Sequence, residues 1–147
     1  MQVRTKRFGT LDVSAEQIFM FPAGLIGMPL LKQWSLIEDA DCPQLAWLQS
    51  SSRPDLALPV ISPRAFFPEY QLRLSSRDTE SLRVRSSTAT YVLTTVSEHD
   101  GGVTTNLRAP ILLNLESHLG GQLTTLDEQP IRQALPAMTA APIRLAA

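Results

Sequence analysis

The chain has 147 residues, which suits one domain with one core. Its 13 basic and 14 acidic residues leave a formal net charge of −1, which excludes a whole-molecule field for nucleic acid or for an anionic membrane. A single cysteine, Cys42, excludes an intrachain disulfide and reads as a small, partly buried apolar residue of a reducing cytosol.

Met1–Arg7 has no apolar run behind it and does not read as a secretory signal. No window approaches the apolar length needed to span a bilayer, so the expected location is the cytoplasm. Val3–Thr5 and Thr10–Val13 predict a hairpin around Arg7-Phe8-Gly9. Ile18–Phe21 predicts a strand that ends at the turn signal Pro22-Ala23-Gly24. Gly24-Leu25-Ile26-Gly27 lacks the Gly-Lys-Ser/Thr ending of a phosphate loop and reads as a tight turn. Trp34–Ile37 is the next strand, followed by an acidic loop, Glu38–Pro43, with carboxylates at Glu38, Asp39 and Asp41. That loop lacks the calcium-loop pattern and reads as a solvated loop or as a patch for a basic partner.

Leu45–Ser50 is strongly apolar and predicts an inner strand. Leu56–Ile61 returns as a strand, and Pro59 inside it argues for an edge position or a bulge. Ser62 and Pro63 have the cap and first-position chemistry of a helix start, and Pro68 stops that helix after about one turn. Tyr70, Leu72 and Leu74 alternate with Gln71, Arg73 and Ser75, a half-buried strand pattern. Ser76–Leu82 predicts a short Ser-capped helix. Tyr91–Val96 and Val103–Leu107 predict strands joined at His99-Asp100-Gly101-Gly102, where Asp-Gly is a hairpin signal. Ile111–Leu115 and Gln122–Leu126 flank a second hairpin at His118–Gly121, and Ile131-Arg132 predicts a last short strand. Many short strands, regular turns and 11 prolines point to an all-β domain over residues 1–135. The expected form is a small antiparallel sandwich or partly open barrel with one or two short helical turns. A weakly structured tail is expected over 136–147.

The chain carries no clear catalytic signature. His99 and His118 fall in predicted turns and read as solvated turn residues. One cysteine and two widely spaced histidines do not make a zinc pattern, and Gly-x-Ser-x-Gly is absent. Arg83 and Arg85 alternate with Leu82 and Val84, but no RNP-like aromatic motif accompanies them.

The segment Thr105–Asn114 organises the second half. Pro110 removes a backbone donor and holds Ala109 extended, which predicts a strand, a bend, and a strand that changes sheet or direction. Asn106 and Asn114 flank the apolar part, where a side-chain amide suits tying a loop to the bend.

Asn106-Leu107-Arg108-Ala109-Pro110-Ile111-Leu112-Leu113-Asn114 also resembles a segment of the flagellar assembly factor FliW family. Other pieces fall in the same order: Arg7–Leu11, Phe21–Gly27, Trp47–Ser50, Leu58–Pro63, Gly121-Gln122 and Ile131-Arg132. The chain departs from the family pattern at Met28-Pro29 and at Gln129-Pro130. The resemblance implies a cytoplasmic β-barrel-like protein with no catalytic activity, cofactor or metal. It implies binding to flagellin before export, and binding to the RNA-binding translational regulator CsrA that relieves repression of flagellin mRNA. Direct contact with nucleic acid or membrane is not implied. By motif position, Phe21, Gly24, Leu25, Gly27, Gln49, Asn106, Pro110 and Asn114 are the candidate partner-binding residues, although Phe21, Trp47 and Leu107 read first as core. Glu38, Asp39 and Asp41 are the candidate acidic patch for CsrA. Two alternatives stay open: a barrel that binds a protein or peptide unrelated to flagella, and an RNA-binding barrel.

Overall fold

The opening hairpin pairs β1 (Gln2–Thr5) with β2 (Gly9–Asp12), in register from Gln2–Asp12 to Thr5–Gly9. Thr5 closes the turn, its hydroxyl donating to the Gly9 carbonyl at 2.6 Å and accepting from the Phe8 amide at 2.8 Å. The structure is a computed structural model and describes residues 1–136, so the expected tail lies, but for Pro136, outside the described residues. A 3-10 turn at Ala15–Gln17, not signalled by periodicity, leads into the main sheet.

That sheet begins as a meander. β3 (Ile18–Met20), β4 (Gln33–Glu38), β5 (Ala46–Ser50) and β6 (Ala57–Ile61) are antiparallel neighbours in chain order. Next comes β7 (Thr90–His99), the longest strand, which pairs with β6 at Thr94 and Thr95. Its other edge carries β8 (Gly102–Thr105) along Val96–His99 and β9 (Ile111–Asn114) along Thr90–Leu93. β10 (Gly120–Gln122) pairs with β9, and β11 (Gln133–Ala134) with β8. Two short helices, α1 (Pro63–Phe66) and α2 (Ser76–Ser81), lie between β6 and β7. Ser75 caps α2 by accepting from the Asp78 amide.

The sheet curls until its ends meet at a short seam. Met20 and Leu119 form an isolated parallel bridge, and the Met20 amide donates to the His118 carbonyl at 2.8 Å. The fold is the expected antiparallel, partly open barrel. Alternation along the strands sorts the apolar residues into two layers. Phe19, Phe21, Trp34, Leu48, Val60, Leu93, Ile111 and Leu113 make the main core. Trp47, Ile61 and Val96, from the other face of β5, β6 and β7, join Cys42 and Leu45 in a second cluster, against which Phe8 of the hairpin and Phe66 of α1 pack.

Four expectations need correction. The bend at Pro110 leads to no change of direction or sheet edge, because β8 and β9 both run antiparallel along the same edge of β7. Residues 106–110 stand opposite only Thr94 and Thr95, so the bend is an excursion from one edge. Pro59 lies on an inner strand. The β6–β7 register covers only Val60 and Ile61, so the proline stands just before that ladder begins, where its missing donor goes unused. Tyr70–Ser75 keeps its buried–exposed alternation without pairing, its Arg73 carbonyl accepting from Leu126 N and Thr125 Oγ1 instead of from a ladder. Finally, the late strands shift. β10 ends at Gln122, and the last strand is Gln133–Ala134, because Pro130, bound through its carbonyl to Leu107 N, sets where the chain meets β8.

Candidate functional site

Phe21–Met28 forms a compact loop beyond β3. Leu25 and Met28 exchange backbone hydrogen bonds, with Ile26 and Gly27 as the central turn residues. Gly24 takes φ +67°, and a Cβ there would fall on the Met28 carbonyl oxygen and 2.7 Å from Pro29 Cα. Only glycine fits this close approach of backbone to backbone. Phe21, Gly24 and Leu25 are buried, whereas Gly27 is exposed. Two large apolar side chains stand out beside it, Ile26 at 60% and Leu30 at 85% exposed.

The 106–110 bend is built from the inside. Asn106 Oδ1 accepts from the amides of Arg108 (3.0 Å) and Ala109 (3.2 Å), an Asx turn that satisfies two donors the excursion takes off the ladder. Pro110 is buried, and its carbonyl accepts from Leu123 N. The buried Tyr70 hydroxyl donates to the Leu107 carbonyl at 2.8 Å. Burial pushes the Tyr70 phenol above its ordinary range, which the nearby Arg64 charge opposes. Asn114 is buried and fully engaged. Its Oδ1 accepts from Glu116 N and Ser117 N, and its Nδ2 donates to the carbonyls of Leu82 and Arg83. It ties the segment after α2 to the turn after β9.

The side chain of Gln122 joins the loop to the bend. Its Oε1 accepts from Ile26 N at 3.0 Å and its Nε2 donates to Ala109 O at 3.1 Å. The Phe21–Gly27 loop and the Asn106–Pro110 bend are thus brought together as one surface. Gln122 is absent from the sequence-derived site residues, and the available signal was a long amide placed directly after Gly120-Gly121. Gln49 takes a different place. It is fully buried, and its amide nitrogen faces the carbonyls of Ser50, Arg53 and Pro54 at 3.1–3.4 Å, so it shapes the loop after β5.

The acidic loop divides into an inward and an outward part. Asp39 Oδ2 accepts from the amides of Asp41 (3.1 Å) and Cys42 (2.9 Å), and its Oδ1 accepts from the Trp47 indole at 2.9 Å. Burial alone would raise the Asp39 pKa, but the Trp47 and backbone donors, with the Arg7 charge, hold it below 3.8. The Arg7 guanidinium lies 4.2 Å from the Trp47 ring centroid, and Phe8 meets the same ring edge-on at 5.9 Å. Asp39 therefore anchors the loop to the hairpin side, while Glu38 and Asp41 remain exposed.

His118 is not the solvated turn residue that its position suggested. It is half-buried at φ +58°, its Nδ1 lies 3.1 Å from the Ile18 carbonyl, and its ring stacks on Phe19 at 5.3 Å. Among the described residues no group of three or more His, Cys, Asp or Glu side chains could hold a metal ion. No helix among them is long and apolar enough to cross a membrane.

A family model described as FliW protein matches residues 2–135. The chain belongs to the FliW family. It is 31% identical over 129 residues to the flagellar assembly factor FliW of Bdellovibrio bacteriovorus, covering 86% of this chain and 74% of that protein. The FliW of Leptospira interrogans is 33% identical, with 87% of each chain covered, and that of Moorella thermoacetica is 34% identical over 84% of this chain and 80% of that one. These relatives are named as assembly factors, not as enzymes. A crystal structure of the flagellar assembly factor FliW superposes with a TM-score of 0.79 at 25% identity, covering 92% of this chain and 95% of that one. The departure from the FliW pattern at Gln129-Pro130 falls where the fold uses backbone only. The Gln129 carbonyl accepts from Arg108 Nε and the Pro130 carbonyl from Leu107 N, bonds that do not depend on a particular side chain there.

Proposed function

We propose that this FliW family member acts in the cytoplasm in flagellar assembly. In this reading it binds flagellin before export and antagonises the translational regulator CsrA, relieving repression of flagellin mRNA. It does so as a binding protein, without catalysis or cofactor. The observation that carries this reading is family membership over residues 2–135, together with relatives named as flagellar assembly factors. The joined Phe21–Gly27 and Asn106–Pro110 surface supports it. Phe21, Gly24, Leu25, Pro110 and Asn114 hold the backbone, Gly27 leaves the turn open, and the exposed Ile26 and Leu30 offer apolar contact to a helical partner segment. The outward carboxylates Glu38 and Asp41 suit a basic partner surface, with Asp39 as their anchor.

Partner exchange gives the mechanism. Flagellin and CsrA draw on one pool of the protein, and mass action sets which complex dominates. Export of flagellin frees the pool to capture CsrA, and translation resumes. Calorimetric titration of the purified chain with flagellin and then with CsrA, both from the same genome, tests this. Binding to both, with flagellin lowering the amount available to CsrA, is expected. A folded chain that binds neither overturns the proposal.

A further inference from the structure

Beside the Met20–Leu119 bridge the sheet leaves an open groove of about 740 Å³. Phe19, Leu36, Ile37 and Leu115 give it an apolar lining, and Tyr91, 52% exposed, presents an aromatic ring to it. Two carboxylates, Glu16 and Glu38, also line it, while Lys and Arg do not. Both are exposed, and neither joins an ion pair among the described residues. Glu16 lies in the 3-10 turn just before β3 and Glu38 ends β4, so the antiparallel β3–β4 pairing sets both at the same end of the pair. The groove is therefore of mixed character, with its two carboxylates at one end, Leu36, Ile37, Tyr91 and Leu115 as its apolar part, and Gln17 and His118 among its polar lining.

Added strands have no purchase here. The Ile18 amide already donates to Ala15 O, the Ile18 carbonyl meets His118 Nδ1, and the Met20 amide donates to His118 O. With the β3 edge occupied, recognition falls to side chains.

We propose that this groove docks a segment of a protein partner that carries apolar side chains followed at one end by a basic pair. The carboxylates select the cations by charge complementarity, and the Tyr91, Ile37 and Leu115 surface takes the apolar part. The inference deepens the binding role proposed above by giving one partner its site, and it rests on that reading.

The test uses the full chain and two synthetic peptides, one with leucines followed by two lysines and one with the lysines replaced by glutamates. The lysine peptide is expected to shift the NMR resonances of Tyr91, Leu115 and His118, and the glutamate peptide to leave them. Glu16→Lys with Glu38→Lys should invert that preference, and Asp41→Lys, in the acidic loop but outside the groove, should not. In parallel, the double reversal and Tyr91→Ala should weaken binding of flagellin or of CsrA roughly tenfold, at an unchanged melting temperature. Unshifted groove resonances, an equal response to both peptides, or partner affinities unmoved by these variants overturn the groove while the binding role stands. A wild-type chain that binds neither partner sinks the binding role instead, and this proposed use of the groove falls with it.

Discussion

The ring of Phe21 lies directly on the backbone of Gly120, so closely that a Cβ on that glycine would stand 2.6 Å from both Cε1 and Cζ of the ring. Phe21 begins the loop after β3, and Gly120 begins β10. Their contact packs the two ends of the curled sheet together next to the Met20–Leu119 bridge. Gly120→Ala is expected to destabilise the fold by about 1–3 kcal/mol, the usual cost of overpacking a filled core. Urea unfolding checks it. Adding Phe21→Leu should recover part of the loss, since the two positions share one space. Independent, additive effects would show that the contact does not bear on stability.

Asn114 satisfies four backbone groups with one buried side chain. Asn114→Ala leaves the Leu82 and Arg83 carbonyls and the Glu116 and Ser117 amides without that partner. The expected cost is roughly 1–3 kcal/mol, because the Leu82 carbonyl is buried and left unpaired, while the other three groups are only partly buried and can turn to water. Hydrogen exchange should show the loss first at Glu116 and Ser117. A melting temperature equal to wild type would refute the role.

Asp39 makes stability depend on pH in one direction. Its folded pKa lies below 3.8, so its contribution is fully present above that value and is lost as pH falls through the lower, folded value. Thermal melts of wild type and Asp39→Asn from neutral to acidic pH should therefore differ most near neutrality and converge below about pH 4. A gap that widened with acidification would contradict the assignment. The indole emission of Trp47 should change in the same variant, since Asp39 holds its Nε1.

Gln122 couples two surface elements without filling the core. Gln122→Ala should speed exchange of the Ile26 amide while lowering global stability by only about 1 kcal/mol. If the joined loop and bend form a partner surface, flagellin or CsrA affinity should fall in the same variant. Unchanged exchange at Ile26 would show that the loop holds its shape without the bridge.

Much of this architecture was legible in one dimension. Apolar, β-prone runs marked β4, β5 and β7, and such runs arise because side chains on a strand point to opposite faces and both faces here meet apolar layers. Turn chemistry marked the opening hairpin and Asp100-Gly101. At Tyr70–Ser75 alternation misled, since it reports which side is buried and says nothing about whether a neighbour supplies a ladder. Pro59 misled in the opposite way. A missing donor harms an inner strand only where a partner carbonyl waits for it, and the β7 ladder has not yet begun there.

Composition, patterning and the order of its motifs by themselves determined that this is an all-β chain of the FliW kind, because each of those signals is local or carried by sequence spacing. What tertiary structure alone decided is which of those motifs face outward. Phe21, Gln49, Asn114 and Asp39 sit in recognisable motifs yet spend their polar and apolar atoms inside the fold. The seam at Met20 and His118, the Gln122 bridge and the groove between Glu38 and Tyr91 join residues far apart along the chain. Contacts of that kind exist only once the sheet has curled on itself, so no local pattern encodes them.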